Sequence, residues 1–128
     1  MIRIANARDF IVDGKMVLPE NAVYCGRTNG RYGLTAGPLA NPCRVLGPAD
    51  HMHKLAVKVF RSWLGERIQA NDLTVGRELA RLRALAAKGD LVLVCWCETW
   101  DGTGYPPGRC HTEIIRDRIL VPDGGDRA

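Results

Sequence analysis

Three cysteines and one histidine in the second half of the chain have side chains that bind metals. They are Cys95, Cys97, Cys110 and His111, in the stretch LVLVCWCETWDGTGYPPGRCH. Three thiolates and a neutral imidazole form a tetrahedral ligand set that zinc accepts. An iron–sulfur cluster also accepts thiolate ligands. We therefore predict these four residues as metal ligands. Zinc is favoured over an iron–sulfur cluster as the bound metal. A protein without any cofactor is an equally defensible prediction.

Three other interpretations of this stretch stay open. Cys95 and Cys97 end an apolar run, and free cysteine is among the most buried residue types, so both can be core residues. Cys110 and His111 precede a predicted helix, whose N-terminal amides lower the pKa of a nearby thiol, so the pair could act as nucleophile and base. A disulfide is the weakest interpretation, because the chain has five cysteines and no recognisable secretion signal.

A second group of candidates lies around the segment from Thr28 to Asp50, which is rich in glycine and proline and has no clear periodicity. Long segments of this kind in a compact domain are usually functional, glycine lets a ligand approach the backbone, and arginine suits phosphate or planar groups. The segment matches neither a P-loop nor a dinucleotide fingerprint, and a plain surface loop is the alternative. The predicted ligand-binding residues are Gly26, Arg27, Arg31, Asn41 and Pro42.

Four segments have the patterns of strands. MIRIANA alternates at the start of the chain, and Asp13-Gly14 divides DFIVDGKMVL as the turn of a hairpin. AVYCGR is a short strand from Ala22, and the continuous apolar run from Leu91 to Val94 is typical of a central strand covered on both faces. We expect the strands at Ala22 and Leu91 to be parallel neighbours.

Helical periodicity predicts helices from about Asp50 to Gln69 and from about Leu73 to Lys88, and a last short helix in HTEIIRDRIL. The inward-facing stripe of the first helix is predicted as Leu55, Val59, Phe60, Trp63, Leu64 and Ile68. The inward positions of the second are predicted as Leu79, Leu82, Leu85 and Ala86.

This order of elements predicts an α/β fold. We expect a single domain over residues 1–121, with a small, mostly parallel, Rossmann-like sheet, flanking helices and an N-terminal hairpin, followed by a disordered polar tail at 122–128. Ligands of such sheets bind beyond the carboxyl ends of the strands. Both unusual segments, after Arg27 and after Cys97, leave from those ends.

Charge and hydropathy restrict the partners. The net charge is +4 and the isoelectric point about 9.0, which permits a nucleotide-like ligand and, more weakly, nucleic acid. No apolar run approaches the roughly 18 residues that a membrane span requires, so we expect no membrane partner. Reduced thiols and the missing secretion signal predict a cytoplasmic protein. The oligomeric state does not follow from these features.

Several short motifs together resemble one family. VYCGR, GPLANP from Gly37 to Pro42, VFRSWL, LVLVCWC and the closing Cys-His are similar to the bacterial and phage proteins catalogued as domain of unknown function 4326, over about Val23 to Ile119. Two features depart from the family pattern: Ala40 replaces a usual glycine, and ETWDGTGYPPGR resembles an insertion. The resemblance implies an α/β fold and brings no activity. The functional set that it implies is Arg27, Asn41, Cys95, Cys97, Cys110 and His111.

Two classes of function follow. In the first, the domain binds a nucleotide-like or phosphate-bearing ligand beside a Cys/His metal site at the strand ends. In the second, the chain is a non-enzymatic binding or sequestering protein whose cysteines are buried structural residues. Few general acids or bases lie near the candidate site, namely Glu98, Asp101 and Glu113. Whether the protein is an enzyme is therefore left open.

Overall fold

The computed structural model describes residues 1–42, 50–96 and 111–120, with the backbone alone at 50–53. Two predicted metal ligands, Cys97 and Cys110, and the predicted tail at 122–128 lie outside the described residues.

A parallel sheet of three strands forms the centre of the fold. Strand β1 is Ile2–Asn6, β4 is Ala22–Tyr24 and β5 is Leu91–Cys95, in the spatial order β1-β5-β4. Both neighbours of β5 run parallel to it, so the predicted pairing of the strands at Ala22 and Leu91 is confirmed. Every residue of β5 is buried, as the continuous apolar run predicted, because both faces and both edges of this strand are covered.

The N-terminal hairpin covers one face of the sheet. Its strands β2, Ile11–Val12, and β3, Lys15–Met16, are antiparallel. The turn between them uses Asp13 and Gly14, at φ 52° and 76°, as the Asp-Gly pair predicted. Met16 and other apolar side chains of this segment pack with Val92 and Val94 of β5. Alternate residues of the central strand are thereby buried on the hairpin side.

Three helices cover the other face. They are α1, Asp50–Gln69, α2, Leu73–Lys88, and α3, Thr112–Leu120. The carboxylate of Asp72 accepts a hydrogen bond from the Val75 amide at 3.1 Å and caps α2, which supports the observed start of that helix. The core on this face is built from all three helices and from β5. Its least exposed members are Phe60, Leu64, Leu79, Leu82, Leu91, Leu93 and Ile115.

The predicted inward stripe of α1 is wrong at two positions. Leu55 and Val59 are 54% and 41% exposed, whereas Ala56 and Val57 are buried. The apolar arc of α1 is wider than the surface that α1 presents to the core, so periodicity does not decide which edge of the arc faces solvent. Phe60 and Leu64 are buried as predicted, and α2 buries Leu79 and Leu82 as predicted.

These elements confirm a small α/β domain with a parallel sheet, flanking helices and an N-terminal hairpin. Within the described ranges, no helix is long and apolar enough to cross a membrane.

Candidate ligand-binding site at the carboxyl edge of the sheet

Cys25 is the first residue after β4, and it lies at the carboxyl edge of the sheet. Its amide donates to the Val94 carbonyl at 2.7 Å, which continues the β4–β5 pairing by one step. The side chain is buried, and burial, followed by the nearby Glu78 carboxylate, raises the pKa of the thiol to about 12. The Cys25 thiol is therefore protonated near neutral pH and is a poor nucleophile.

His111 precedes α3 and is bound to the same strand end. Its Nε2 lies 2.7 Å from the Cys25 carbonyl oxygen, and because a carbonyl only accepts, Nε2 carries the proton. The ring contacts Phe60 edge-on, with centroids 4.9 Å apart. Burial lowers the pKa of His111 to about 4, so the imidazole is neutral at pH 7 and Nδ1 holds the lone pair. This contact joins α3 to β4 across 86 residues of sequence.

A hydrogen-bonded chain connects the ends of β4 and β5. The Trp96 indole Nε1–H donates to the Tyr24 hydroxyl at 2.9 Å, and that hydroxyl donates to the Arg27 backbone carbonyl. Burial raises the pKa of Tyr24, which keeps the hydroxyl protonated and able to donate. The Arg27 backbone is thus held in place while its side chain is exposed.

A tight turn after Arg27 places an arginine and an aromatic ring beside Trp96. Asn29 and Leu34 form an isolated β-bridge that closes a single-turn 3-10 helix, Gly30–Tyr32. The Tyr32 and Trp96 rings lie 5.6 Å apart. The Arg31 guanidinium lies 5.4 Å from the centroid of the Tyr32 ring, within cation–π range. The turn therefore groups a cation and two half-buried aromatic rings at one edge.

Two predicted ligand-binding residues have other positions. Asn41 donates from Nδ2 to the Ala56 carbonyl of α1 at 3.1 Å, so its amide ties the loop to a helix. Pro42 is exposed. The structure therefore brings Gly26, Arg27 and Arg31 to the edge occupied by Trp96, and nothing in it tests their binding roles.

Two of the four predicted metal ligands are described. Cys95 ends β5 and is buried, and His111 is the neutral imidazole described above. Among residues 1–42, 50–96 and 111–120, no three His, Cys, Asp or Glu side chains are grouped closely enough to hold a metal ion. Because Cys97 and Cys110 lie outside these ranges, the four-ligand site stays a prediction.

The family model for a domain of unknown function, DUF4326, matches residues 12–120. The chain belongs to the DUF4326 family. The match confirms the family resemblance that the sequence motifs indicated. It begins at residue 12, within the N-terminal hairpin. No curated protein and no solved structure matches the chain.

The edge of this DUF4326 domain also contains residues that sequence reasoning missed. Tyr24, Cys25, Tyr32 and Trp96 had no predicted role, although Tyr24 and Cys25 stand inside the VYCGR motif. One signal could have found Tyr24, Cys25 and Trp96. The rule that selected Arg27 is position at the carboxyl end of a parallel strand, and it applies equally to the last residue of β4 and to the first residues after β4 and β5.

Replacing Gly26 with alanine is expected to lower the free energy of unfolding of the DUF4326 domain by about 2 kcal/mol. A Cβ at this buried position would lie 2.5 Å from the Tyr24 hydroxyl, so the ring must move and release Trp96 and the Arg27 carbonyl. Urea unfolding measures the change, and indole fluorescence reports the environment of Trp96.

The matched control is Gly76→Ala on α2. A Cβ there meets nothing within 4 Å, and alanine favours helix, so we expect a gain of about 0.5–1 kcal/mol. Equal unfolding curves for Gly26→Ala and the unmodified protein would show that the tyrosine is not confined as described.

Proposed function

We propose that this DUF4326 domain binds a small phosphate-bearing, nucleotide-like ligand at the carboxyl edge of its sheet. One observation carries the proposal. Two exposed arginines lie near the ends of β4 and β5: Arg31 contacts Tyr32 of the half-buried Tyr32–Trp96 pair, and the Arg27 carbonyl is connected to Trp96 through Tyr24. Guanidinium groups bind phosphate through several hydrogen bonds, and aromatic faces accept a planar base. A Rossmann-like arrangement of the sheet is part of this proposal, because domains of that kind bind their ligands beyond the carboxyl ends of the strands.

Arg27 is the residue to which we assign the phosphate. Its backbone carbonyl accepts from Tyr24, and Tyr24 accepts from Trp96, so the residue is fixed before any ligand arrives. A preorganised backbone reduces the entropy lost on binding. Its positive charge acts in the same direction as the net charge of +4, which favours an anionic ligand.

The base is assigned to the aromatic side of the edge. Tyr32 is packed between Arg31 and Trp96. The Arg31 guanidinium lies 5.4 Å from the centroid of the Tyr32 ring, and the Tyr32 and Trp96 ring centroids lie 5.6 Å apart. Stacking on such rings contributes about 1–3 kcal/mol per base and tolerates different bases. The proposal therefore predicts recognition of a base and a phosphate together, with little discrimination between bases. Arginine–phosphate contacts and base stacking also support, more weakly, the binding of single-stranded nucleic acid at this edge.

The described groups favour binding over turnover. The Cys25 thiol, with a pKa of about 12, and the His111 imidazole, with a pKa of about 4, both keep one protonation state near neutral pH. Acid–base catalysis needs groups that titrate near the working pH. This favours a non-enzymatic binding or sequestering protein over an enzyme. Its buried reduced thiols, Cys25 and Cys95, suit the cytoplasm, which we propose as its location.

We keep a structural zinc ion, bound by Cys95, Cys97, Cys110 and His111, within the proposal. The orientation of His111 supports it, because histidines that bind metals usually donate the other ring N–H to a carbonyl or carboxylate. Here Nε2–H donates to the Cys25 carbonyl and Nδ1 carries the lone pair. A zinc ion with four protein ligands has no open position, so it would stabilise the fold without taking part in a reaction.

Replacing Arg27 with alanine is expected to weaken binding of adenosine 5′-monophosphate and guanosine 5′-monophosphate at least about tenfold, equivalent to about 1.4 kcal/mol. The physical reason is the loss of charge-assisted hydrogen bonds to the phosphate. Isothermal titration calorimetry with each nucleotide, and with inorganic phosphate alone, measures the change.

Arg61→Ala is the matched control, since Arg61 is an exposed arginine that belongs to α1 and not to a segment that follows a strand. We expect it to leave the affinity unchanged. Equal losses in the two variants would mean that net charge alone attracts the nucleotide. The absence of nucleotide binding in the unmodified protein would refute the proposed function.

A further inference from the structure

A cavity of about 430 Å³ is lined by the end of α1, the turn that follows it and α2. Sites that hold small organic molecules have volumes of ~300–1,000 Å³, so this space is large enough for one. None of the residues to which we assign the nucleotide-like ligand lines it. A ligand in this cavity would therefore occupy a site separate from the carboxyl edge of the sheet.

One part of the cavity wall is aliphatic. Ile68 of α1 and Leu79 of α2 line the cavity and belong to the apolar core behind it. Leu73, at the start of α2, also lines the cavity and is 68% exposed. Removing aliphatic surface from water is favourable in proportion to the area removed. A ligand with an aliphatic body would therefore gain free energy by covering Leu73.

Gly76 makes the backbone of α2 accessible from the cavity. Glycine in a helix interior is less favourable than alanine, so it calls for a physical reason. Neither conformation nor crowding supplies one, because the φ of Gly76 is not positive and a Cβ there would meet nothing within 4 Å. Gly76 lines the cavity, so a side chain at this position would project into the space. The glycine thus keeps the space open and lets a ligand approach the helix backbone.

Two arginines give the cavity an excess of positive charge. Arg77 and Arg83 line it, and the single acidic residue among its described lining is Asp72. The Asp72 carboxylate already accepts a hydrogen bond from the Val75 amide at 3.1 Å. Among the side chains that the structure describes, neither arginine forms an ion pair. The charge of the cavity therefore complements an anion.

Arg83 is the better placed of the two cations. It is half-buried, and its Nη2 donates to the Arg118 carbonyl of α3 at 3.2 Å, which restrains the side chain. That carbonyl is neutral, and the Nε–H of Arg83 is buried without an acceptor in the described part of the chain. The guanidinium is therefore partly removed from water without a carboxylate to balance it. Charges attract more strongly in such surroundings than at an open surface.

We propose that this cavity binds a small organic anion, with its carboxylate or phosphate head at the two arginines and its aliphatic body along Leu73 and Gly76. Guanidinium groups bind both kinds of head through charge-assisted hydrogen bonds. A neutral apolar molecule would leave the two cations unbalanced, and an inorganic anion would leave Leu73 in water. The inference goes beyond nucleotide binding and does not depend on it.

The test titrates octanoate, octyl phosphate, 1-octanol and acetate separately into the full-length protein and follows the Gly76 and Ala80 amides, which line the cavity, by NMR. We expect both octyl anions to shift these amides and to bind at least about tenfold more tightly than 1-octanol or acetate. The tighter of the two anions identifies the head group. Equal binding of octanoate and 1-octanol, or octanoate binding that leaves both amides unshifted, overturns the proposal.

Arg83→Met tests the charge, because it removes the cation and keeps a long unbranched side chain. We expect octanoate binding to weaken at least about tenfold. Lys88→Met is the matched control, since Lys88 is an exposed cation of the same helix and does not line this cavity. Circular dichroism confirms that both variants fold. Equal octanoate affinities in the two variants contradict the assigned role of Arg83.

Gly76→Leu tests the space, and it decides the question if Arg83→Met fails to fold. Leucine favours helix and would occupy the cavity, so we expect octanoate binding to fall at least about tenfold while the protein stays folded. Thr74→Leu adds the same side chain at an exposed position of α2 that does not line the cavity, and it should leave the affinity unchanged. An unchanged affinity in Gly76→Leu rules out this cavity as the binding site.

Discussion

Replacing Phe60 with alanine is expected to lower the free energy of unfolding by about 4 kcal/mol. The Phe60 ring is fully buried, with its centroid 5.7 Å from that of Trp63 and 4.9 Å from that of His111. Alanine would leave a cavity where α1 meets α3 and would remove the edge contact with the imidazole. A domain of this size has about 5–15 kcal/mol of stability, so the variant loses a large fraction of it. Urea unfolding followed by circular dichroism measures the loss.

Val59→Ala is the matched control, one position away on the same helix. Val59 is 41% exposed, and alanine is the better helix former, so we expect a change within about 0.5 kcal/mol. The sequence pattern assigned both residues to one inward stripe, and the pair of variants separates them. Comparable destabilisation at both positions would show that α1 is rotated relative to the fold described above.

Acidification is expected to destabilise the metal-free protein through His111, by about 3 kcal/mol between pH 6.5 and pH 4. Burial lowers the pKa of His111 from 6.5 to about 4 in the folded protein. In that interval the unfolded chain binds a proton that the folded chain does not, so the free energy of unfolding falls as the pH falls. The stability is therefore fully present above pH 6.5. Urea unfolding across this pH range, in the presence of a chelator, measures it.

His111→Gln serves as the comparison for this effect. An amide cannot titrate in this range but can still donate to the Cys25 carbonyl. The variant should be less stable at pH 7.5 and should lack the part of the pH dependence that His111 contributes. An NMR titration of the His111 ring in the unmodified protein gives an independent check. A pKa near 6.5 in the folded protein would be incompatible with the buried imidazole.

Local patterns determined the elements and their order. The bounds of α1 and α2 follow the predicted ranges, and the Asp13-Gly14 turn is where the hairpin signal placed it. The parallel pairing of β4 and β5 was also predictable, because a buried apolar strand after two helices requires a crossover connection. These features depend on neighbours within a few residues or on general rules of α/β connection. A single sequence therefore contains enough information to predict both kinds of feature.

The arrangement of the candidate site was less predictable. Position at strand ends selected Arg27 and Arg31, but the groups that hold this edge together come from distant parts of the chain. His111 binds the Cys25 carbonyl across 86 residues, and Trp96 binds Tyr24 across 72. No periodicity encodes such contacts, because they depend on how helices and strands pack against one another. Asn41 illustrates the same limit, since its amide is bonded to α1.

The sequence by itself therefore determined a DUF4326 domain of α/β class with its unusual residues at the carboxyl ends of parallel strands. Only the tertiary structure decided which of those residues are buried. Cys25 and His111 lie in the interior with their neutral forms favoured, while Arg27 and Arg31 remain in solvent. The physical reason is desolvation, which depends on every element packed around a group. It is a property of the folded chain that the local sequence does not specify.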